Sequence, residues 1–99
     1  MGLIMFRATV KPGAMDDLEA AAQRTFAAIG EAAPEEVRYT AMRVAGGDEV
    51  VGLLEVEDRD ANPLSAVPEF VEWQQVVQRS IAGPPEITDL EPMGSYRLV

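Results

Sequence analysis

The chain has 99 residues, seventeen of them acidic and eight basic, for a formal net charge of -9, and it contains neither Cys nor His. Its length predicts a single domain, 1–99, with a modest hydrophobic core, and its negative charge and scattered arginines argue against a nucleic-acid partner. The absence of Cys and His excludes disulfides and thiolate nucleophiles and removes the commonest metal and haem ligands, so we expect no metal and no cofactor.

The N-terminal residues lack the features of a targeting segment. No basic region is followed by a long apolar segment, and no apolar run in the chain approaches membrane-spanning length. We therefore expect a cytoplasmic protein without membrane partners.

The first third of the chain has a strand pattern followed by a helix pattern. Apolar and polar side chains alternate from Leu3 to Lys11, which predicts a strand that Pro12-Gly13 ends. From Ala14 the spacing becomes helical, and we expect this helix to end near Gly30. The inward face of the strand is predicted to carry Ile4, Phe6, Ala8 and Val10, and the apolar stripe of the helix Leu18, Ala22, Phe26 and Ile29.

A β-hairpin is predicted from Val37 to Glu57, where two sheet-forming segments flank Gly46-Gly47. A two-residue loop at these glycines would place Arg38 opposite Glu55. Because side chains alternate along a strand, each strand of the hairpin contributes to two faces. One face holds Val37, Tyr39, Ala41, Val50, Gly52, Leu54 and Val56, and the other holds Arg38, Thr40, Met42, Val51, Leu53 and Glu55.

The last third of the chain predicts a second helix and a further strand. The helix starts at or near Ser65, and Pro68 is tolerated in its first turn. Its apolar residues recur at three- and four-residue steps: Val67, Phe70, Trp73 (or Gln74), Val77 and Ile81. Glu86 to Leu90 is predicted as a strand, and Ser95 to Val99 are compatible with a short fifth strand.

This element order predicts an α+β, ferredoxin-like βαββαβ fold with a four-stranded antiparallel sheet and both helices on one side. The side of the sheet away from the helices, here called the outer face, would then expose an apolar patch on the order of several hundred Å², which soluble monomers seldom leave uncovered. A second copy of the chain is the simplest cover, so we expect a homodimer. The residues of that patch are Leu3, Met5, Met42, Val51 and Leu53.

The element order and length resemble the dimeric α+β barrel superfamily, particularly its antibiotic biosynthesis monooxygenase-like group. The resemblance covers nearly the whole chain and includes the junction Thr9-Val10-Lys11-Pro12-Gly13 and the acidic segment Asp16-Asp17-Leu18-Glu19. It implies a homodimer with a pocket between sheet and helices, and an activity such as oxidation of aromatic molecules without metal or flavin. The family's frequent Trp at the end of the third strand is replaced by Val56-Glu57, and the His of its haem-degrading members is missing.

A second resemblance supplies the alternative function. ACT-type regulatory modules share the element order and the Pro-Gly pair that leads into the first helix, here Pro12-Gly13. This resemblance implies a non-catalytic ligand-binding or assembly module.

Two charged residues of the outer face are the candidate catalytic residues. Arg7 could bind an anion or stabilise negative charge that develops on oxygen, or it could form a salt bridge to Glu55 or to the partner subunit. Glu55 would act as a general base if it were buried without a cation, because burial disfavours its charged form. If Glu55 pairs with Arg38, its role is structural.

The candidate ligand-binding residues are Met5, Arg38, Met42, Leu53, Trp73 and Tyr96. Trp73 is the one tryptophan of the chain, and it could stack on an aromatic ligand or lie in the core with its N–H bonded to an acceptor. The methionines would give an adaptable apolar lining or fill the core. Tyr96 and Arg97 could close the pocket. Together these residues predict a site for a small apolar or aromatic molecule, with no metal.

Overall fold

The computed structural model describes residues 2–97, apart from the side chain of Arg59. The strands are β1 (Gly2–Thr9), β2 (Val37–Arg43), β3 (Glu49–Val56) and β4 (Glu86–Leu90), and the helices are α1 (Met15–Ala32) and α2 (Pro68–Ser80). Two 3₁₀ turns, Arg59–Ala61 and Pro63–Ala66, lead from β3 to α2. The strands pair antiparallel in the order β2-β3-β1-β4, which confirms the predicted βαββαβ fold.

The register of the β2–β3 hairpin is the predicted one, but its loop differs. Arg38 lies opposite Glu55 as expected. The Val44 N–H donates to the Glu49 carbonyl (3.0 Å) and the Gly47 N–H to the Val44 carbonyl (3.0 Å), so residues 45–48 form a four-residue loop. Of the two glycines, Gly46 has the positive φ, at 74°. The predicted two-residue loop is therefore wrong, while the register holds because both loops are centred on the same point.

Helix α1 ends two residues beyond Gly30, in agreement with the expected end near that glycine. Asp16 and Asp17 lie in its first turn, where they interact favourably with the positive end of the helix dipole. The helix continues through Gly30 to Ala32, and its C-terminal cap is Ala33, with a left-handed φ of 45° and an N–H that donates to the Ile29 carbonyl (2.8 Å). Gly30 is therefore not the residue that terminates α1.

Helix α2 begins after the Pro63–Ala66 turn, which the Asn62 side chain caps by accepting the Leu64 N–H at 2.9 Å. Pro68 occupies the first turn, as expected. Phe70 and Trp73 are buried, and Val76 is more deeply buried than the predicted Val77. The apolar face of α2 is thus turned slightly from the predicted stripe.

The most deeply buried side chains lie around the helices, and the sheet is less completely covered. The core cluster comprises Val10, Leu18, Ala21, Leu64, Val67, Phe70, Trp73 and Val76. On the predicted helix-facing side of the sheet, Ile4, Ala8 and Val56 are buried. By contrast Phe6, Val37, Tyr39 and Leu54 are half-buried. The helices therefore do not fill all the space above the sheet.

Three backbone hydrogen bonds tie the end of β1 to its surroundings. The Val10 N–H donates to the Asp48 carbonyl in the hairpin loop (2.7 Å). The Lys11 N–H donates to the Ser80 carbonyl (2.8 Å), and the Ala82 N–H donates to the Thr9 carbonyl (2.8 Å). These bonds fix the hairpin loop and the C-terminal end of α2 to the same strand.

The C-terminal segment forms no strand between residues 91 and 97. Of the possible fifth strand, Ser95 to Val99, residues 95–97 do not form a strand, because Arg97 has a left-handed φ of 60°. The Arg97 guanidinium lies 5.1 Å from the centre of the Tyr96 ring. Leu98 and Val99 lie outside the described residues. No helix within residues 2–97 is long and apolar enough to cross a membrane.

Candidate ligand-binding cavity

A half-open cavity of about 660 Å³ lies between the sheet and the two helices. Its volume falls within the range of about 300–1,000 Å³ that is typical of small-molecule sites. All four strands and both helices contribute to the lining, which is mostly apolar. The lining residues are Ile4 and Phe6 of β1; Met15, Leu18, Glu19 and Ala22 of α1; Tyr39, Ala41, Met42 and Arg43 of β2; Val50, Val51, Gly52 and Leu54 of β3; Phe70, Trp73, Gln74, Val77 and Gln78 of α2; and Ile81, Pro85 and Ile87.

Small residues on the sheet and on α1 leave room for this cavity. Ala41 and Gly52 are paired across β2 and β3, and Phe6 pairs with Gly52 from the other side. Ala22 lines the cavity from α1. Because two neighbouring strands lack large side chains at this position, the large side chains around them border an open space instead of closing it.

A hydrogen bond joins Tyr39 and Trp73, which both line the cavity. The Trp73 indole N–H donates to the Tyr39 hydroxyl at 2.8 Å, and Trp73 is only 6% exposed. Two further rings hold Tyr39: Phe26 stacks on it at 5.3 Å, and Phe70 meets it edge to face at 5.6 Å. Trp73 thus lies in the core with its N–H bonded to an acceptor, which is the structural one of the two roles predicted for it, and it also borders the cavity.

The protonation of Tyr39 follows from its surroundings. Burial raises the pKa of the Tyr39 hydroxyl, and the hydrogen bond from Trp73 partly opposes that effect. The hydroxyl therefore remains protonated near neutral pH and is able to donate a hydrogen bond as well as accept one.

An ion pair is part of the lining of the cavity. The Arg43 Nη1 lies 2.8 Å from the Glu19 Oε1, and the two side chains are 47% and 48% exposed. Such an exposed pair contributes little to stability, but it places a carboxylate and a guanidinium beside the cavity. Among residues 2–97, no group of three or more acidic side chains is arranged to hold a metal ion.

The two candidate catalytic residues lie on the outer face of the sheet, and neither is among the residues that line the cavity. The Arg7 Nη2 is 3.1 Å from the Glu49 Oε2, and this contact raises the pKa of the arginine. The alternative Arg7 contact with Glu55 is not formed, because Arg7 lies opposite Val51 in the sheet, only two residues from Glu49. Glu55 instead forms an ion pair with Arg38 at 3.7 Å, which is the pairing that would make its role structural.

The candidate binding residues fall into separate places. Trp73 lines the cavity from α2, and Met42, which alternation along β2 places on the outer face, is also among the residues that border it. Met5 and Leu53 lie opposite each other on the outer face of the sheet, and Tyr96 is exposed in the C-terminal segment. The binding roles of all six candidates stay predictions, and the fold brings only two of them to this cavity.

Sequence reasoning missed Tyr39, Glu19 and Arg43 as residues of the site. Tyr39 was expected to point toward the helices, and Trp73 is the one indole on the facing helix. A buried Tyr hydroxyl needs a hydrogen-bond partner, so these two facts together were a usable signal for their contact. No comparable signal pointed to Glu19 and Arg43, whose pairing depends on how α1 lies over β2.

Comparison with known proteins finds likeness at the level of structure. No protein-family profile matches the sequence, and no curated protein matches it. Rv0793 from Mycobacterium tuberculosis is 21% identical with a TM-score of 0.70, over 95% of this chain and 96% of that one. A Nitrosomonas europaea protein named for antibiotic biosynthesis monooxygenase activity is 15% identical with a TM-score of 0.74, over 95% of this chain and 100% of that one.

A third solved structure is that of a named oxygenase. SnoaB, a cofactor-independent oxygenase from Streptomyces nogalater, is 22% identical with a TM-score of 0.66, over 98% of this chain and 97% of that one. At such identities the likeness shows the fold and does not carry over an activity. The element order, the sheet topology and these three structures together show that the chain has the ferredoxin-like fold of the antibiotic biosynthesis monooxygenase-like proteins, as the sequence resemblance predicted.

Proposed function

We propose that this protein binds a small aromatic molecule in the cavity between its sheet and helices and oxidises it with molecular oxygen, without a cofactor. The observation that carries the proposal is a mostly apolar cavity of about 660 Å³ in a fold that this chain shares with a cofactor-independent oxygenase. The apolar lining favours an aromatic ligand through burial of its surface.

The oxidation of a hydroxyanthrone is an example of the reaction class that we propose. In a hydroxyanthrone, a ring CH₂ lies opposite a carbonyl group, and transfer of one of its protons to water gives a delocalised anion that can react with oxygen. One oxygen atom becomes the new carbonyl oxygen, and the other leaves as water with the two hydrogens of the CH₂. The substrate supplies all the electrons, so the equation balances with oxygen as the only co-reactant.

A pair of alanine substitutions on α1 tests whether the cavity is the site. Ala22→Phe places a ring in the cavity, whereas Ala20→Phe places the same ring on an exposed position of the same helix. We expect Ala22→Phe to weaken binding of a hydroxyanthrone by about tenfold or more, and Ala20→Phe to leave it unchanged. Binding is measured by quenching of Trp73 emission, since Trp73 is the only tryptophan.

Oxygen uptake separates catalysis from binding. With a panel of hydroxyanthrones, the unsubstituted protein should consume oxygen and Ala22→Phe should not. If the ligands quench Trp73 and no oxygen is consumed, the non-catalytic binding module is correct and the oxidation is refuted. If no member of the panel binds, both parts of the proposal are wrong.

We also propose that two copies associate through the outer face of the sheet. Of the apolar patch predicted on this face, Met42 is 47% exposed and Met5, Val51 and Leu53 are half-buried, whereas Leu3 is buried within the single chain, contrary to the prediction. At roughly 25 cal/mol per Å², covering some 400 Å² of apolar surface would contribute about 10 kcal/mol before the entropy of association is subtracted. Leu53→Glu should convert a dimer to a monomer in sedimentation experiments, and the control Val71→Glu, on the exposed side of α2, should not. A monomer at micromolar concentration without any substitution would refute this assembly.

A further inference from the structure

The Tyr39 hydroxyl has hydrogen-bonding capacity that the described part of the chain does not use. A phenolic hydroxyl donates one hydrogen bond and accepts others. Here it accepts the Trp73 N–H at 2.8 Å, and within residues 2–97 no protein group is seen to accept its own proton. Because both rings line the cavity, a bound molecule is the natural acceptor of that proton.

The position of this hydroxyl is fixed by its neighbours. Phe26 stacks on the Tyr39 ring with an angle of 15° between the ring planes, and Phe70 meets it at 83°. The Trp73 N–H occupies one lone pair of the hydroxyl oxygen, which limits the directions in which the proton can point. A donor held in this way needs little reorganisation when a ligand binds.

The other polar side chains of the lining belong to exposed or ion-paired residues. Glu19 and Arg43 are paired with each other at 2.8 Å and are about half exposed. The amides of Gln74 and Gln78 belong to exposed residues of α2. An oxygen on the inner part of an aromatic ligand would lose its water on binding and would need a donor in exchange. Tyr39 remains protonated near neutral pH because burial raises its pKa, so it can supply that donor.

We propose that the Tyr39 hydroxyl, oriented by the Trp73 N–H, is the specificity-determining donor of the cavity and selects planar aromatic ligands that carry a carbonyl or phenolic oxygen. This inference rests on the proposed function, because it assumes that the cavity binds aromatic molecules. It adds a requirement that size and apolar character do not impose: a ligand of the same shape without oxygen should bind less well.

The test compares two planar ligands, 9-fluorenone and fluorene, which differ in having a carbonyl oxygen or two hydrogens. Equilibrium dialysis gives the ratio of their dissociation constants for the unsubstituted protein, for Tyr39→Phe and for the control Ser65→Ala. Ser65→Ala also removes a hydroxyl, from an exposed residue that does not line the cavity. We expect the preference for fluorenone to fall by about tenfold in Tyr39→Phe and to be unchanged in Ser65→Ala.

The outcomes separate this inference from the proposal on which it rests. If both ligands bind and the preference is the same in Tyr39→Phe, the cavity binds aromatics and the role of Tyr39 is refuted. If neither ligand binds to any form, the proposed function fails as well. Far-UV circular dichroism confirms that Tyr39→Phe is folded. If Tyr39→Phe is not folded, the affinities of the unsubstituted protein provide the test. Equal affinity for fluorenone and fluorene, after correction for the difference in their free energies of transfer from water, overturns the inference.

Discussion

Removal of the Tyr39 hydroxyl should destabilise the protein through Trp73. In Tyr39→Phe the ring stays in place against Phe26 and Phe70, but the indole N–H of Trp73, at 6% exposure, loses the acceptor that it contacts at 2.8 Å. A buried donor left unpaired costs about 1–3 kcal/mol. For a domain of about 100 residues, each kcal/mol lowers Tm by roughly 4–8 °C, which makes the expected effect easy to measure.

A double-mutant cycle with Trp73→Phe isolates the hydrogen bond from other effects. Trp73→Phe loses ring volume and should be destabilising by itself, but the double variant has no unpaired indole N–H. Its destabilisation should therefore be smaller than the sum of the two single effects by about 0.5–1.5 kcal/mol. Unfolding in urea is followed by far-UV circular dichroism, because Trp73→Phe removes the fluorescence signal.

The control for this cycle is Tyr96→Phe, which removes the other tyrosine hydroxyl from an exposed position and should change stability by less than about 0.5 kcal/mol. Additive effects in the cycle, or a Tyr39→Phe variant as stable as the unsubstituted protein, would show that the Trp73–Tyr39 contact does not stabilise the fold. The orientation argument for the cavity donor would fail with it.

Three further predictions follow from individual side chains. The unfolded chain loses the Tyr39 proton near pH 10, whereas the folded protein retains it to higher pH. The contribution of this group to the free energy of unfolding is thus complete below about pH 10 and is lost as the pH rises further. Above about pH 10, the urea midpoint should therefore fall less steeply with pH for Tyr39→Phe than for the unsubstituted protein. Ala33→Gly should stabilise the protein by about 1 kcal/mol because Ala33 has a left-handed φ of 45°, and Ala20→Gly within α1 should destabilise it by a similar amount; equal effects in thermal melts would refute the strain at Ala33. Arg7→Ala tests the predicted catalytic role of Arg7: loss of oxygen uptake in a folded variant supports it, and unchanged uptake removes it.

The sequence was sufficient for the hairpin register and insufficient for its loop. The pairing of Arg38 with Glu55 follows from alternation around the glycines, and a loop of two or four residues centred there gives the same partners. Which glycine takes the positive φ depends on local hydrogen bonds such as that from Gly47 to Val44. Likewise Gly30 was a reasonable end for α1, but one further backbone hydrogen bond, from Ala33 to Ile29, carries the helix beyond it.

The cavity could not be predicted from periodicity. Alternation correctly placed Tyr39 and Leu54 on the helix side of the sheet, but it does not say whether the helices fill the space above them. That depends on the volumes of facing residues, here the small Ala22, Ala41 and Gly52. The charged residues of the outer face drew the sequence argument toward Arg7 and Glu55, whereas the cavity lies on the opposite side of the sheet.

The backbone ties at the end of β1 bear on how fast a ligand can bind. Ser80 and Ala82 form backbone hydrogen bonds with Lys11 and Thr9, respectively, and Ile81, which lies between them, lines the cavity. This part of the cavity wall therefore cannot move away from the sheet without breaking those hydrogen bonds. We therefore expect access to be controlled by rotation of exposed side chains such as Arg43, on the picosecond-to-nanosecond timescale. Association would then follow a single step whose rate increases linearly with ligand concentration, without a slow opening phase.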